Sequence, residues 1–150
     1  MRNEELKEVI SKITPEAAFE EKKFLTATVP AEKLHVLAEY LKNLHDTGFD
    51  YLFCQTAVDW LQHFTIVYHL RSTMYGHELV VKTNVPRENP SVDTVSDIWK
   101  TAEFHEREIF DLFGIHFKNH QDLRRILLEE HWQGFPLRKD YKDDVNIVEL

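Results

Sequence analysis

Three stretches with the residue pattern of β-strands follow one another directly, with no room for a helix between them. They cover residues 51–60, 63–71 and 77–85. The middle stretch alternates apolar side chains with others, as a strand with one buried face does. Because the connections are short, neighbouring strands are predicted to pair antiparallel as hairpins. This block predicts an α+β fold built on a mostly antiparallel sheet.

The elements before this block complete one domain. A short amphipathic helix is predicted within residues 1–21, and residues 24–29 have the pattern of a further strand, which makes about four strands. The leucines of a second helix, between residues 30 and 48, are spaced to cover the sheet. The helices are therefore predicted to pack on one side of it. We expect residues 1–128 to form the domain and residues 129–150 to form an extended C-terminal arm.

A third helix is predicted after the sheet, because apolar residues recur every three or four positions between residues 95 and 113. Ser91 or Asp93 is the candidate N-cap. Charges of opposite sign also recur four positions apart along one side of this helix. They predict either a ladder of ion pairs or a solvated face, and they are Glu103, Arg107 and Asp111.

Glu106 interrupts the apolar stripe of the third helix. A carboxylate on an apolar face is costly to bury without an ionic or hydrogen-bonding partner. Glu106 is therefore expected to be buried and paired, with Arg124, Arg125 or Arg138 as the partner.

The third helix and the segment after it carry a long series of ordered motifs. They read ERE at residues 106–108, DLF at 111–113, a histidine at 120, then Arg124, Ile126 and Leu127, and WQGFPLRKDY at 132–141. Together they resemble the signature of the 30-kilodalton-type subunit of respiratory NADH dehydrogenase, which is the C-type subunit of the bacterial NADH:quinone oxidoreductase (complex I). Gln121 and Lys142 depart from the family pattern, where proline is expected at both positions.

The resemblance implies a non-catalytic scaffold in the peripheral arm of a proton-pumping translocase, on the cytoplasmic side of the cell membrane. The chain would dock on the large quinone-site subunit of the 49-kilodalton type. It would hold no cofactor or metal, since FMN and the iron–sulfur clusters belong to partner subunits. The residues expected to lock the fold or contact partners are Glu106, Arg107, Glu108, Asp111, His120, Arg124, Arg125, Trp132, Gly134, Pro136, Leu137, Arg138, Asp140 and Tyr141.

Two interpretations of the C-terminal arm stay open. Aromatic side chains and arginine are typical of interface centres, which favours docking through Trp132, Phe135, Arg138 and Tyr141. The same residues would also serve an arm that folds back on its own sheet.

The amino-acid composition argues against several classes of function. A formal net charge of −8 argues against broad nucleic-acid binding. The single Cys54 cannot supply the thiolates of an iron–sulfur cluster. No apolar run approaches 18 residues, and the N-terminus lacks a signal-peptide pattern, so a peripheral cytoplasmic protein is expected.

Other functions remain as alternatives. The same subunit type occurs in membrane-bound hydrogenases and in oxidoreductases fed by ferredoxin or coenzyme F420, so the resemblance does not name the electron donor. From a different class, the nine histidines would allow a stand-alone metal-site enzyme, for example through His105 and Glu108. A free adaptor has the least support, because there is no glycine-rich or basic pocket motif.

Overall fold

The computed structural model describes residues 1–143, and the end of the predicted arm, residues 144–150, lies outside the described residues. The described part contains three helices and seven strands. The helices are α1 (Asn3–Ile13), α2 (Ala31–Asn43) and α3 (Ala102–Phe113). The strands are β1 (Ala18–Glu21), β2 (Leu25–Thr28), β3 (Tyr51–Asp59), β4 (His63–Arg71), β5 (Glu78–Pro86), β6 (Ser91–Asp93) and β7 (His116–Lys118).

Five strands form one sheet in the order β1-β2-β5-β4-β3. All neighbours pair antiparallel except β2 and β5, which run parallel. The predicted α+β class is confirmed, and so is the meander of β3, β4 and β5. The predicted number of strands was too small, because β1 is a charged and largely exposed edge strand without the apolar alternation that marks a buried one.

The three helices share one buried core with one face of the sheet. Leu6 of α1, Leu37 of α2 and Ile109 of α3 belong to the same cluster as Ile66 and Tyr68 of β4. The leucines of α2 are buried, as their spacing predicts. Helices and sheet therefore form two layers around a single core.

The segment before α3 differs from the sequence prediction. Ser91 and Asp93, the predicted N-caps, lie in β6, which pairs parallel with β7 in a separate two-stranded sheet. The helix expected from residue 95 begins at Ala102, after turns whose apolar side chains enter the same core. Thr101 precedes the helix, and its hydroxyl donates a 2.8 Å hydrogen bond to a main-chain carbonyl of β3 instead of capping α3.

The meander brings the ends of three strands together below α3. Phe64 of β4 pairs with Asp59 of β3 on one side and with Val85 of β5 on the other. Asp59 is buried although it is the last residue of its strand. This corner receives the C-terminal segment, which is the chain after β7 (residues 119–143).

Candidate functional site

Glu106 is buried in the core, and neutral donors satisfy its carboxylate. Its Oε1 accepts hydrogen bonds from the Val95 N–H (2.9 Å) and the Gln55 amide (3.3 Å). Its Oε2 accepts one from the Thr94 hydroxyl. Burial raises the pKa of Glu106, and these hydrogen bonds offset part of the rise. The predicted burial is confirmed, but the predicted arginine partner is wrong, because all three candidate arginines bond elsewhere.

His120 lies against the same carboxylate without forming an ordinary ion pair. Its Nε2 is 4.0 Å from Glu106 and donates a 3.0 Å hydrogen bond to the carbonyl of Glu103. Its Nδ1 accepts a 3.0 Å hydrogen bond from the N–H of Asp122. This pattern fits the uncharged tautomer protonated at Nε2. His120 therefore fastens the turn after β7 to the start of α3.

Asp111 binds the main chain of the segment that follows β7. Its Oδ2 accepts hydrogen bonds from the N–H groups of Ile126 (3.2 Å), Leu127 (2.7 Å) and Leu128 (3.0 Å). Its Oδ1 accepts one from Arg125 at 2.9 Å. Burial alone would raise the pKa of Asp111, but these hydrogen bonds outweigh it and lower the pKa.

Arg107 also binds main chain rather than a carboxylate. Its Nε and Nη2 donate to the carbonyls of Arg124 (3.2 Å) and Arg125 (3.1 Å). The ladder predicted along α3 is therefore wrong: within residues 1–143, Arg107 forms no ion pair with Glu103 or Asp111. The alternative of a solvated face is wrong as well, since Arg107 and Asp111 are buried.

Arg125 completes this arrangement from the segment side. It donates to the main-chain carbonyls of Asp111 (2.8 Å), Trp132 (3.0 Å) and Gly134 (2.9 Å). We call Arg107, Asp111 and Arg125 the clamp. It fixes the path of the main chain after β7, and Arg125 is the clamp's own side chain from that segment.

Gly114, at the C-terminus of α3, makes room for the C-terminal segment. It has a left-handed φ of 73°, and a Cβ at this position would lie 2.5 Å from the Phe135 ring and 2.7 Å from Nη2 of Arg138. The Arg138 Nε and the Leu137 N–H donate to main-chain carbonyls of the last turn of α3, at 2.6 and 3.0 Å. Glycine is therefore required by both conformation and space.

Asp59 anchors the end of the segment. Its carboxylate accepts hydrogen bonds from the N–H groups of Lys139 (2.8 Å) and Leu61 (2.7 Å) and from the guanidinium of Arg87. Burial would raise the pKa of Asp59, but these hydrogen bonds lower it to about 2. Arg87 also donates to Asp140 at 2.7 Å. Asp140, a predicted site residue with an exposed side chain, therefore lies beside the corner formed by Asp59, Phe64 and Arg87.

The remaining aromatic residues of the segment contact one another. The Trp132 Nε1 donates to the Tyr141 hydroxyl at 3.2 Å, and that hydroxyl reaches Asp143 at 3.4 Å. Gly134 has a φ of 84°, and a Cβ there would lie 2.9 Å from the Tyr141 ring. Pro136 is half-buried. The described part of the arm thus folds back onto its own domain through these contacts.

Several predicted site residues remain exposed, including Glu108, Arg124 and Leu137. Of the twelve large apolar side chains exposed in the described residues, six lie on α3, on the segment that the clamp holds, or on the β3–β4 turn near Lys139. We call these six the apolar rim: Trp60, Leu61, Phe104, Ile126, Leu127 and Leu137.

The model of the family described as "Respiratory-chain NADH dehydrogenase, 30 Kd subunit" matches residues 27–145, which is most of the chain. The chain belongs to this family. A Geobacter sulfurreducens protein named as the C-type subunit of NADH-quinone oxidoreductase is 43% identical over 123 residues, covering 78% of this chain and 74% of the relative. A Phocaeicola vulgatus protein named as the joint C/D subunit of the same enzyme is 46% identical over 124 residues, covering 81% of this chain but only 24% of the relative. The chain therefore spans about a quarter of this longer relative.

Two solved structures have the same fold as this chain. The trypsin-resistant fragment (1-134) of Nqo5 superposes with a TM-score of 0.69 at 32% identity, covering 82% of this chain and all of the fragment. A chain of the membrane-bound sulfane sulfur reductase, an archaeal respiratory membrane complex, superposes with a TM-score of 0.79 at 29% identity, covering 95% of this chain and 86% of its own length. The second of these proteins is a component of a respiratory membrane complex.

Within residues 1–143, no three His, Cys, Asp or Glu side chains are arranged to hold a metal ion. No helix in the same part of the chain is both long and apolar enough to cross a bilayer.

Five residues that build the site were not among the sequence candidates. Gln55 and Thr94 satisfy Glu106, while Asp59, Phe64 and Arg87 form the corner that receives the segment. They lie outside the family motifs and do not form a pattern along the chain. The burial of Asp59 at the end of a strand has no local sequence signal.

Proposed function

We propose that this member of the 30-kilodalton family is a scaffold subunit in the peripheral arm of a proton-pumping NADH:quinone oxidoreductase. In this proposal it docks on the large quinone-site subunit of the 49-kilodalton type and supports electron transfer from NADH to quinone. It has no catalytic group or cofactor of its own, since FMN and iron–sulfur clusters belong to partner subunits. It is held at the cytoplasmic side of the membrane through those partners.

One observation carries the proposal, namely that the clamp holds the C-terminal segment by its main chain. The apolar side chains of that segment are left exposed, Leu127 at 63% and Leu137 at 52%. Apolar and aromatic side chains are typical of the centres of protein interfaces. The apolar rim is therefore the surface that we assign to the large subunit.

The relatives support the choice of partner. The Phocaeicola vulgatus relative carries a segment similar to this chain within a polypeptide about four times longer than that segment. Its name joins the C-type and D-type subunits in one protein, as expected if the two are neighbours in the complex. We therefore assign the docking partner to the D-type, quinone-site subunit.

A second candidate is the equivalent subunit of a respiratory complex with another electron acceptor. The superposition on a chain of the membrane-bound sulfane sulfur reductase favours it, because that match covers 95% of this chain. The identity of 29% is lower than the 43% and 46% to NADH-quinone oxidoreductase subunits, which supports the first proposal. Identification of the proteins that co-purify with the native chain separates the two.

The docking proposal is tested by co-expressing the tagged chain with the large subunit from the same source. Leu137→Glu and Leu127→Glu should each reduce the amount of large subunit that is captured, by roughly tenfold, because a charge enters an apolar contact. The matched controls are Val36→Glu (53% exposed) for the first and Met74→Glu (79% exposed) for the second. Both controls place the charge on an exposed apolar residue outside the apolar rim.

Equal capture by rim variants and controls would contradict docking through the apolar rim. The scaffold role has its own test, since the purified chain should be colourless and should not oxidise NADH. A stoichiometric bound chromophore in the isolated chain would overturn that role.

A further inference from the structure

Three arginines and two phenylalanines alternate in one stack at the corner where the C-terminal segment ends. Arg87 and Arg138 lie over the Phe64 ring, with their Cζ atoms 5.0 and 5.2 Å from its centroid. Arg138 and Arg125 lie over the Phe135 ring at 4.8 and 5.1 Å. Arg138 is therefore the middle cation, between two aromatic rings that each attract it electrostatically.

The outer arginines of the stack have carboxylate partners, but the middle one does not. Arg87 bonds to Asp59, and Arg125 bonds to Asp111 at 2.9 Å. Arg138 forms no ion pair with any of the described residues 1–143, although it lies between two other guanidinium groups.

The hydrogen-bonding capacity of Arg138 is also only partly used. A guanidinium has five N–H donors, and here the Nε–H donates to the carbonyl of Phe113. Within residues 1–143, Nη1 and Nη2 meet no hydrogen-bond acceptor. Desolvation lowers the pKa of Arg138 and the charge of Arg87 lowers it further, while the carboxylates of Asp140 and Asp59 raise it in part. An anionic group at the free end of Arg138 would offset both effects.

An open cleft of about 520 Å³ lies at this guanidinium. The ring of Phe135 forms part of its wall, and Gly114, which has no side chain, leaves room for Nη2 of Arg138 at the C-terminal end of α3. The polar and charged residues that line the cleft are Arg87, Asn89, Ser91, His116 and Arg138.

We propose that this cleft binds the side-chain carboxylate of an aspartate or glutamate on a partner subunit, through the two terminal nitrogens of Arg138. The planar fork of a guanidinium matches the two oxygens of a carboxylate. The stack fixes the fork before binding, which reduces the ordering cost. The inference rests on the proposed function, because it assigns one contact within the docked complex.

A carboxylate fits this cleft better than a phosphate. Asp140, with an exposed side chain, lies at the corner as a partner of Arg87, so a second negative charge on the ligand would be repelled. The chain as a whole carries a formal net charge of −8, which adds to the repulsion of multivalent anions. A single negative charge matches the one cation of the stack that lacks a carboxylate partner among the described residues.

The site is tested in the full-length chain by following the Arg Nε–H resonances by NMR. N-acetylglutamate α-amide carries one side-chain carboxylate and is the probe. N-acetylglutamine α-amide has nearly the same shape without the charge and is the control compound. The Arg138 resonance should shift saturably with the first compound only, and inorganic phosphate should bind more weakly. No shift, an equal shift with the neutral compound, or tighter binding of phosphate would overturn the proposal.

Two variants test the same site in different ways. Arg138→Lys removes the fork together with the Arg138 resonance, so binding to this variant is followed through the Arg87 and Arg125 resonances. The carboxylate affinity should fall roughly tenfold, as expected for the loss of one charge-assisted hydrogen bond. Asn89→Asp keeps the shape, places a negative charge on the cleft wall and should also lower the affinity, while Arg138 remains in its stack. Arg124→Lys, on an exposed side chain, is the control and should bind like the wild type.

The chain's own acidic residues beyond the described part provide a further check. Asp144→Asn combined with Glu149→Gln should leave the affinity for the carboxylate compound unchanged. An increase in affinity would mean that this chain already supplies the carboxylate, and the partner would be excluded.

Co-expression with the large subunit then separates this inference from the proposed function. Asn89→Asp should reduce capture of the large subunit relative to Arg124→Lys. If both variants assemble like the wild type, the carboxylate contact is wrong and the scaffold proposal stands. If the wild-type chain captures no large subunit at all, the scaffold proposal itself fails, whatever the titration shows.

Discussion

Lys139 and Asp59 are 80 positions apart in the sequence, and a 2.8 Å hydrogen bond joins the backbone N–H of the first to the carboxylate of the second. Asp59 also receives the guanidinium of Arg87 and the N–H of Leu61. One buried carboxylate thus connects the end of the C-terminal segment to β3 and to the loop after β5. The charge state of Asp59 should decide whether that end stays attached.

The pKa of about 2 for Asp59 predicts a loss of stability in acid. Because the folded pKa lies below the ordinary value of 3.8, Asp59 contributes its full stabilisation above about pH 4 and loses it as the pH falls towards 2. Asp59→Asn should remove this part of the pH dependence and should expose the bonds after Arg138 and Lys139 to trypsin. Urea unfolding between pH 2 and 5, and limited proteolysis at pH 7, measure the two effects.

Asp46→Asn changes an exposed aspartate and is the control for this experiment. It should keep both the wild-type acid dependence and the wild-type cleavage rate. An Asp59→Asn variant as acid-sensitive and as trypsin-resistant as the wild type would show that the carboxylate does not anchor the segment.

Gly114→Ala should displace the C-terminal segment from the end of α3. The new Cβ would overlap the Phe135 ring at 2.5 Å and would also strain a backbone with a φ of 73°. Gly76→Ala is the matched control, because Gly76 has a φ of 77° and no atom within 4 Å of the added Cβ. Gly76→Ala should cost about 1 kcal/mol of unfolding free energy from backbone strain, and Gly114→Ala about 1–3 kcal/mol more from overpacking. Equal losses in the two variants would show that the segment is not packed as described.

Glu106→Gln and Glu106→Ala should have different effects on stability. Because burial raises the pKa of Glu106, the ionised carboxylate costs stability as the pH rises through the folded pKa. The glutamine side chain would keep the acceptor for the Val95 N–H and avoid this cost, so Glu106→Gln should be nearly as stable as the wild type at pH 7. Glu106→Ala should lose about 2–4 kcal/mol, because it leaves buried donors unsatisfied.

The pH dependence distinguishes this explanation from a simple packing effect. Relative to Glu106→Gln, the wild type should gain stability as the pH falls from 7 towards 4.5, where the carboxylate takes up a proton. Glu108→Gln, on the exposed side of α3, should produce no such difference. A difference in unfolding free energy between wild type and Glu106→Gln that stays constant across this pH range would contradict the raised pKa of Glu106.

Arg125→Ala should release the clamp, whereas the same change at the neighbouring Arg124 should not. Arg125 donates to Asp111 and to the carbonyls of Trp132 and Gly134, while the Arg124 side chain is 69% exposed and bonds to Asp122. Removing one member of a buried ion pair costs about 3–5 kcal/mol. Hydrogen exchange of the amides at residues 126–128 should accelerate in Arg125→Ala alone, and similar exchange in both variants would contradict the clamp.

The regular elements of this fold were readable from the sequence because their signals are local. The alternation in β4 and the leucine spacing in α2 depend only on which face of each element is buried. Strands β1 and β6 were missed, since three or four residues without clear alternation carry too little pattern.

The contacts of the site depend on pairings that no local pattern encodes. The burial of Glu106 followed from its place on an apolar stripe, but its partners Gln55 and Thr94 are neutral and lie 51 and 12 positions away. Arginine was the expected partner because charge complementarity is the usual means of burying a carboxylate. Arg125 and Arg138 instead bind main-chain carbonyls or Asp111, and Arg124 binds Asp122. Only the folded arrangement of α3 and the segment determines these pairings.

The clamp has a consequence for how this protein could change partners. Arg107, Asp111 and Arg125 bind main-chain groups, and every amino acid except proline has both of these groups. The side chains between residues 126 and 134 are therefore not needed to hold the loop in place. Substitutions at these positions can change which partner the surface binds without changing the backbone conformation of the loop. A library randomised at the exposed positions of this loop should yield folded proteins that differ in the subunits they select.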